Sequence, residues 1–327
     1  MKDATAETVL PLGQIVGTMK SLLAGGEFPT NKRLIEICAA SGASLIGGKS
    51  DPHLVHEALE TAVNLLLRET FADQSFGRTE EKLATLARLE EFNKNLPTQS
   101  WRSREQSVLQ QFSTPPALAY VLACLLSPER EKTALEPSAG TGGLAVWLRV
   151  AGCRTATNEI CAKRREFLRL QEFEPFGTDA EFLHDLLPDA VKPDFVLMNP
   201  PFSAGGGGRV VRADSNFGFR HVGSALERMN AGGRLVALLG AESCLETDKG
   251  KKFWRQTAEE YEIHCFLKVP PKAFYKYGTT FPTVAVLVGK PETQAGKRPN
   301  PRPAPILQFN DLTEMLLCAV EYGAANF

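Results

Sequence analysis

The chain has 327 residues, and at roughly 150 residues per domain this length predicts about two domains. Hydrophobic residues make up 43% and charged residues 23%, which are ordinary values for a globular protein with a sizeable core. A formal net charge of -1 provides no bulk attraction to a polyanion, although a local basic patch is still compatible with one. The sequence contains neither a long apolar run nor a basic leader followed by apolar residues, so we expect no membrane span and no signal peptide.

Seven cysteines are scattered along the chain without a CxxC pair, together with five histidines. The odd number argues against a disulfide framework, and the lack of ligand spacing argues against a zinc site. We therefore expect reduced and mostly buried thiols, a cytoplasmic location, and no metal ion.

Residues 1–104 are predicted to form an N-terminal helical domain. Apolar residues recur at three- and four-residue spacing within 55–67 and 83–89, which is the pattern of amphipathic helices. Pro52 directly after Asp51 is typical of a helix start.

Residues 105–327 are predicted to form an α/β domain with a parallel, Rossmann-like sheet. Short apolar runs with glycine or proline ends alternate with helical segments, which is typical of βαβ units. The run at 284–288 is expected to be antiparallel, either at an edge or inserted between other strands. The proline-rich segment 299–305 is expected to be extended, and a last helix is expected near 312–320. The predicted strands are 133–135, 155–158, 180–183, 195–198, 234–239, 263–269 and 284–288.

The first motif of this domain, Ser113-Thr114-Pro115-Pro116, precedes a predicted helix and is in itself an ordinary helix start signal. The second motif, Glu136-Pro137-Ser138-Ala139-Gly140-Thr141-Gly142, follows a predicted strand and opens another helix. Glycines at such a turn let the backbone approach a ligand closely, although a purely structural turn is an alternative. The pattern is neither a dinucleotide GxGxxG nor a P-loop, which disfavours NAD and ATP.

Acidic residues follow the next two predicted strands. Glu159 comes 23 residues after Glu136, and an acid at this place in a Rossmann-like unit can accept hydrogen bonds from both hydroxyls of a ribose. Asp185 can accept from an adenine amino group while Leu186 covers the ring. Asp185 can equally well be a helix N-cap.

The strongest motif is Asn199-Pro200-Pro201-Phe202, directly after predicted strand 195–198. The prolines fix the backbone and leave carbonyl groups that no sheet ladder uses. The Asn199 amide and the Pro200 carbonyl then form two neighbouring acceptors, and Phe202 adds an aromatic face. This set can hold a planar amino group, and the alternative is a rigid Pro-Pro turn beside a buried Phe.

Two basic segments come later in the chain. A glycine-rich stretch after Phe202 carries Arg209 and Arg212, and we expect it to be a loop that orders on nucleic acid with the arginines on phosphates, or else a merely exposed loop. Lys251 and Lys252 belong to a basic cluster that is either a second phosphate contact or a solvated helix start.

The order of these motifs along the chain resembles that of the γ-class N6-adenine DNA methyltransferases. The motifs are Thr114-Pro115-Pro116, the glycine turn, Glu159, Asp185 and Asn199-Pro200-Pro201-Phe202. They are also similar to the modification subunits of type I restriction systems. The resemblance spans about 105–290 and implies a class I methyltransferase sheet, S-adenosylmethionine as the cofactor, DNA as the partner, and a bacterial, phage or mobile-element origin. It assigns the cofactor to Phe112, Thr114, Glu136, Ser138, Gly140, Gly142, Glu159, Ile160, Asp185 and Leu186. It assigns the target adenine to Asn199, Pro200, Pro201 and Phe202.

The chemistry of adenine N6 agrees with this assignment. Hydrogen bonds from the amino group to Asn199 Oδ1 and the Pro200 carbonyl favour a tetrahedral nitrogen, which can attack a sulfonium methyl group in line. The base must leave the duplex to reach such a pocket, and Phe202 is the expected stacking platform. The sequence contains no Pro-Cys pair, so the thiol mechanism of C5-cytosine methyltransferases is not expected.

The chain departs from the family in sequence recognition. Only about 37 residues follow Lys290, and the large target-recognition domain of self-sufficient members has no counterpart among them. Either the N-terminal helices and the glycine-rich loop read DNA, or a separate specificity subunit does, or specificity is slight. Methylation of RNA, of protein glutamine or of cytosine N4 is an alternative on the same scaffold, and a non-catalytic DNA-binding subunit is another.

Overall fold

The computed structural model describes residues 6–41, 45–46, 49–50, 52–71, 76–99, 113–201, 217–277, 281–293 and 303–325. The described N-terminal helices are α1 (Ala6–Ala24), α2 (Asn31–Ala40), α3 (Pro52–Thr70) and α4 (Thr79–Asn95), and the two-residue strands Leu45–Ile46 and Lys49–Ser50 pair between α2 and α3. The predicted start at Pro52 is confirmed. Local capping explains other helix starts, since Thr30 Oγ1 accepts from Arg33 N at 3.3 Å and Glu81 Oε2 accepts from Arg78 N at 2.8 Å.

The rest of the described chain forms alternating strands and helices. The strands are β1 (Thr133–Glu136), β2 (Arg154–Thr157), β3 (Phe195–Met198), β4 (Arg234–Gly240), β5 (Glu262–Lys268), β6 (Thr283–Gly289) and β7 (Ile306–Gln308). The helices are α5 (Pro116–Leu126), α6 (Ala145–Val150), α7 (Ala162–Leu170), α8 (Leu183–Leu186), α9 (Phe217–Arg228), α10 (Asp248–Glu260) and α11 (Leu312–Ala325). Within the described residues, these seven strands form one sheet in the order β2-β1-β3-β4-β6-β5-β7.

The predicted antiparallel strand is confirmed, and the structure places it as an insertion. β6 runs antiparallel to its two neighbours β4 and β5, whereas every other pairing in this sheet is parallel. All residues of β3, β4 and β6 are buried, as expected for strands that helices cover on both faces.

The strand predicted at 180–183 is wrong. The segment forms a short 3-10 helix, Ala180–Phe182, that continues into α8. The Asp179 carboxylate accepts from Glu181 N at 3.0 Å, and this cap turns the chain into a helical conformation at the point where a strand would begin. A strand at Ile306–Gln308, directly after the proline-rich segment, was not predicted.

The hydrophobic core lies on both faces of the sheet because successive side chains of each strand point to opposite sides. Ala134 and Leu197 belong to a cluster with α5, α6, α11 and the N-terminal helices, whereas Leu135 and Val196 belong to a cluster with α9 and α10. No helix in the described part of the chain is long and apolar enough to span a bilayer.

The N-terminal helices share their core with the sheet domain. Aromatic rings join the two parts, with ring centroids 5.8 Å apart for Phe71 and Trp147 and 5.6 Å apart for Phe76 and Tyr120. The predicted domain boundary at residue 104 falls within 100–112, outside the described residues.

Candidate functional site

The polar motifs meet where the sheet changes direction. β1 lies between β2 and β3, so the chain leaves β1 toward one side of the sheet and later returns to its other side. In open α/β sheets, a crevice forms at the carboxyl ends of the strands at such a switch point. The glycine turn, Glu159 and Asn199 directly follow β1, β2 and β3 and therefore line this crevice.

The glycine turn needs its glycines for conformation. Gly140 has φ +54° and Gly142 has φ +90°, a region that residues with a Cβ rarely adopt. A Cβ on Gly142 would also lie 3.1 Å from Leu168 Cδ2, whereas a Cβ on Gly140 would point into open space. The backbone at Gly140 is therefore accessible to a ligand.

Glu159 fixes this turn from the side of β2. It is only 4% exposed, and its Oε2 accepts from Gly140 N at 2.7 Å while its Oε1 accepts from Cys161 N at 2.8 Å. The neighbouring Asn158 Nδ2 donates to Pro137 O at 2.9 Å. Directly after Glu159, Ile160 is 58% exposed and presents an apolar surface at the same edge.

Glu136 is buried at the end of β1. Its Oε2 accepts from Ala145 N at 2.6 Å, at the first turn of α6. Burial raises its pKa well above the ordinary value; the hydrogen bond from Ala145 lowers it in part, and the negative charge of Glu159 raises it further. The crevice therefore holds closely spaced acidic groups, an environment that favours a cationic ligand.

Asp185 and Leu186 lie on α8 and are both exposed. The α9 helix holds their segment, because Ser224 Oγ accepts from His184 N at 3.0 Å. Arg228, one turn later on α9, donates to the carbonyl oxygens of His184 (3.0 Å), Pro188 and Val191 (2.7 Å).

Asn199 is oriented by the segment before α5. Its Nδ2 donates to Thr114 Oγ1 at 3.1 Å, so Oδ1 is the atom of this amide that can accept a hydrogen bond. Pro200 is buried, and α9 packs closely on the proline pair, since a Cβ on Gly218 would lie 3.6 Å from Pro201 O.

The structure also adds contacts that the sequence did not indicate. Glu60 on α3 accepts from Thr141 Oγ1, Ser113 Oγ and Gln99 Nε2, each at 2.8 Å. Asn64, one turn later, donates to Thr141 O at 2.8 Å. Their only signal in the sequence is that polar residues recur on one face of an otherwise apolar helix.

The remaining predicted site residues are placed as follows. Ser138 is partly buried within the turn, and Lys251 and Lys252 are exposed at the start of α10, which follows the carboxyl end of β4. Phe112, Phe202, Arg209 and Arg212 lie outside the described residues. Within the described ranges, no group of three or more His, Cys, Asp or Glu side chains is arranged to hold a metal ion.

No protein-family model and no curated protein matches the chain, but solved structures do. The chain is similar over 97% of its length to a protein described as a class I S-adenosylmethionine-dependent methyltransferase from Listeria monocytogenes, with 15% identity, 99% of that protein covered and a TM-score of 0.52. This likeness shows the fold: the Rossmann-like sheet of class I methyltransferases predicted from the sequence is confirmed.

Two further structures are less similar. One is described as a modification subunit of a type I restriction enzyme from Vibrio vulnificus, with 12% identity over 84% of this chain and a TM-score of 0.49. The chain spans 55% of that protein's length. The other is described as an RNA methyltransferase from Pyrococcus horikoshii, with 18% identity over 65% of this chain, all of that protein covered and a TM-score of 0.44.

Proposed function

We propose that this protein is an S-adenosylmethionine-dependent methyltransferase that modifies the N6 amino group of adenine in DNA. One observation carries the proposal: Asn199, oriented by Thr114 and followed by two prolines, lies at the same sheet switch point as the glycine turn and Glu159. This arrangement brings an acceptor for an amino group beside a turn that can hold a nucleoside.

The residues present fit the cofactor. The backbone at Gly140 is open to a ligand, Glu159 stands where a ribose can replace its backbone partners, and Asp185 with the exposed Ile160 and Leu186 can hold an adenine ring. The acidic groups Glu136 and Glu159 suit a positively charged ligand. When bound, S-adenosylmethionine supplies an electrophilic methyl group on a sulfonium.

The role of this chain's residues is to position and polarise the target amine. Asn199 Oδ1 and the Pro200 carbonyl each accept a hydrogen bond from the amino group. These hydrogen bonds localise the lone pair on nitrogen and direct it at the methyl carbon. With S-adenosylmethionine bound, these residues would hold the amine for transfer of the methyl group from sulfur to nitrogen, with S-adenosylhomocysteine and a proton as the other products. No covalent enzyme nucleophile takes part, and Phe202 stacks on the base after it has left the duplex.

We propose that Lys251 and Lys252, together with Arg209 and Arg212, contact DNA phosphates. A net charge of -1 provides little long-range attraction to DNA, so we propose that a separate specificity subunit supplies most of the affinity and the sequence recognition.

Transfer of tritiated methyl groups from S-adenosylmethionine to double-stranded DNA, total RNA and a mixed protein substrate tests the proposal. We expect incorporation into DNA that rises when a specificity subunit from a related restriction system is added. Incorporation into RNA or protein with none into DNA would contradict the proposed substrate, and failure to bind S-adenosylmethionine would contradict the proposed activity.

A further inference from the structure

Helix α3 lays a polar face against the catalytic domain. The residues Glu57, Glu60, Asn64 and Arg68 follow one another at three- and four-residue spacing and therefore share one side of the helix. Glu57 Oε1 accepts from Arg164 Nε at 2.8 Å, and Arg68 pairs with Glu172 at 2.7 Å. The apolar side of α3 already packs in the core through residues such as Leu59. The polar face is therefore additional to what packing of the helix requires.

Glu60 is the centre of this polar face. Its Oε2 accepts from two hydroxyl groups, those of Ser113 and Thr141, while its Oε1 accepts from the Gln99 amide. Burial raises the pKa of Glu60, and the three donors lower it in part. Burial of a carboxylate away from water destabilises the folded state, and the hydrogen bonds from the three donors offset only part of this cost.

The two hydroxyl partners belong to the two segments that form the crevice. Thr141 lies between the two left-handed glycines of the turn, and Glu159 holds the same turn from its other side through Gly140 N. Ser113 directly precedes Thr114, the residue that orients Asn199. One carboxylate from the N-terminal helices thus touches both the cofactor turn and the support of the target-binding amide.

We infer that Glu60 is a positioning residue that fixes the glycine turn and the Ser113–Thr114 segment in their binding geometry, which makes α3 a part of the cofactor site. This inference rests on the proposed function. It gives the N-terminal helices a role in cofactor binding, beyond the reading of DNA that their sequence suggested.

Isothermal titration of S-adenosylmethionine into the full chain tests this role. We expect Glu60→Ala to bind about tenfold more weakly or worse, because three donors lose their acceptor. Glu60→Gln is expected to stay within about threefold of the wild type, since its amide oxygen can still accept from both hydroxyls and the Gln99 amide can turn to accept from its nitrogen. Glu69→Ala on the same helix, an exposed partner of Lys20, is the matched control and is expected to bind normally.

The results separate this inference from the proposed function. Absence of binding by the wild type would overturn the proposed function and the inference with it. Wild-type binding with equal affinity in Glu60→Ala and Glu69→Ala would overturn the inference alone, and so would a Glu60→Gln variant as weak as Glu60→Ala. If Glu60→Ala does not fold, Thr141→Val removes one donor at nearly constant side-chain shape, and unchanged affinity in that variant would also overturn it.

Discussion

Glu136 and Glu159 place two carboxyl groups at one end of the sheet, both nearly inaccessible to water. The folded state raises the pKa of Glu136 well above 4.5, so between 4.5 and that raised value it binds more protons than the unfolded chain. Stability must therefore fall as the pH rises through this window.

Glu136→Gln should remove the cost without losing the hydrogen bond from Ala145, because the amide oxygen can still accept it. We expect its thermal midpoint to exceed that of the wild type at about pH 8 and the difference to shrink toward pH 4.5, as scanning calorimetry across this range would show. Glu172→Gln is the control with the opposite sign, because hydrogen bonding to Arg68 lowers the pKa of Glu172. A Glu136→Gln variant less stable than the wild type at pH 8 would contradict this account.

Thr114 orients the amide that we propose to bind the target base. Thr114→Val removes the oxygen that accepts from Asn199 Nδ2 and nearly conserves the volume of the side chain. We expect the rate of methyl transfer to fall about tenfold, the usual consequence of losing one positioning hydrogen bond of about 1.4 kcal/mol. Thr114→Ser keeps the oxygen and should retain most of the rate in the same single-turnover assay. Equal rates in the two variants would argue against this role.

At the scale of elements, α9 connects the two halves of the crevice. It packs on the Pro200-Pro201 pair near Gly218. Its Ser224 and Arg228 form hydrogen bonds with the segment that contains Asp185. The fork of an arginine reaches three carbonyl oxygens here, and a lysine can satisfy fewer of them in this geometry.

Arg228→Lys should therefore loosen the segment that carries Asp185 and Leu186. We expect the dissociation constant for S-adenosylmethionine to rise about three- to tenfold, measured by calorimetry at a temperature where the protein is fully folded. Arg169→Lys on α7, at an exposed position, is the control. An unchanged dissociation constant in Arg228→Lys would show that this contact of α9 does not contribute to cofactor binding.

The strands differ in how well the sequence predicts them, because only some carry a local pattern. Strands buried on both faces read as apolar runs, so β3 was predicted at its observed bounds and β4 within one residue. The error at 180–183 arose because a segment this short can form either a strand or a helix. The hydrogen bond from Glu181 N to the Asp179 carboxylate favours the helical conformation. The edge strand β7 is only three residues long and largely exposed, which is too short for an alternating pattern to be recognised.

In the candidate site, too, the sequence could place residues with a local signal but not those that long-range contacts bring together. Motif residues that directly follow strands could be placed from the sequence, because the carboxyl ends of neighbouring parallel strands meet at one edge. Glu60 could not be placed, since its partners Ser113 and Thr141 lie 53 and 81 residues away. Only the docking of α3 on the sheet domain brings them together.

At the scale of the whole molecule, one hydrophobic cluster contains residues of the N-terminal helices and of the sheet. Leu59 on α3 and Leu197 on β3 are both at most 2% exposed within this cluster. A continuous core of this kind should unfold as one unit.

We expect Leu59→Ala and Leu197→Ala each to lower the free energy of unfolding by about 3 kcal/mol, with the loss of buried volume as the cause. Both should shift the same single transition, followed by far-ultraviolet circular dichroism and by tryptophan fluorescence. Two transitions, of which Leu59→Ala shifts only one, would show that the N-terminal helices unfold independently.

The proposed function depends on which atom is methylated and on Asn199 as the residue that holds it. Nucleoside mass spectrometry of DNA from a methylation-deficient host compares cells that express the wild-type chain, with a specificity subunit supplied, and cells that express Asn199→Ala under the same conditions. We expect N6-methyladenine above the empty-vector level with the wild type and none with Asn199→Ala, at equal amounts of folded protein that binds S-adenosylmethionine. N6-methyladenine at similar levels with both proteins would contradict the role of Asn199, and its absence with both would contradict the proposed activity on DNA.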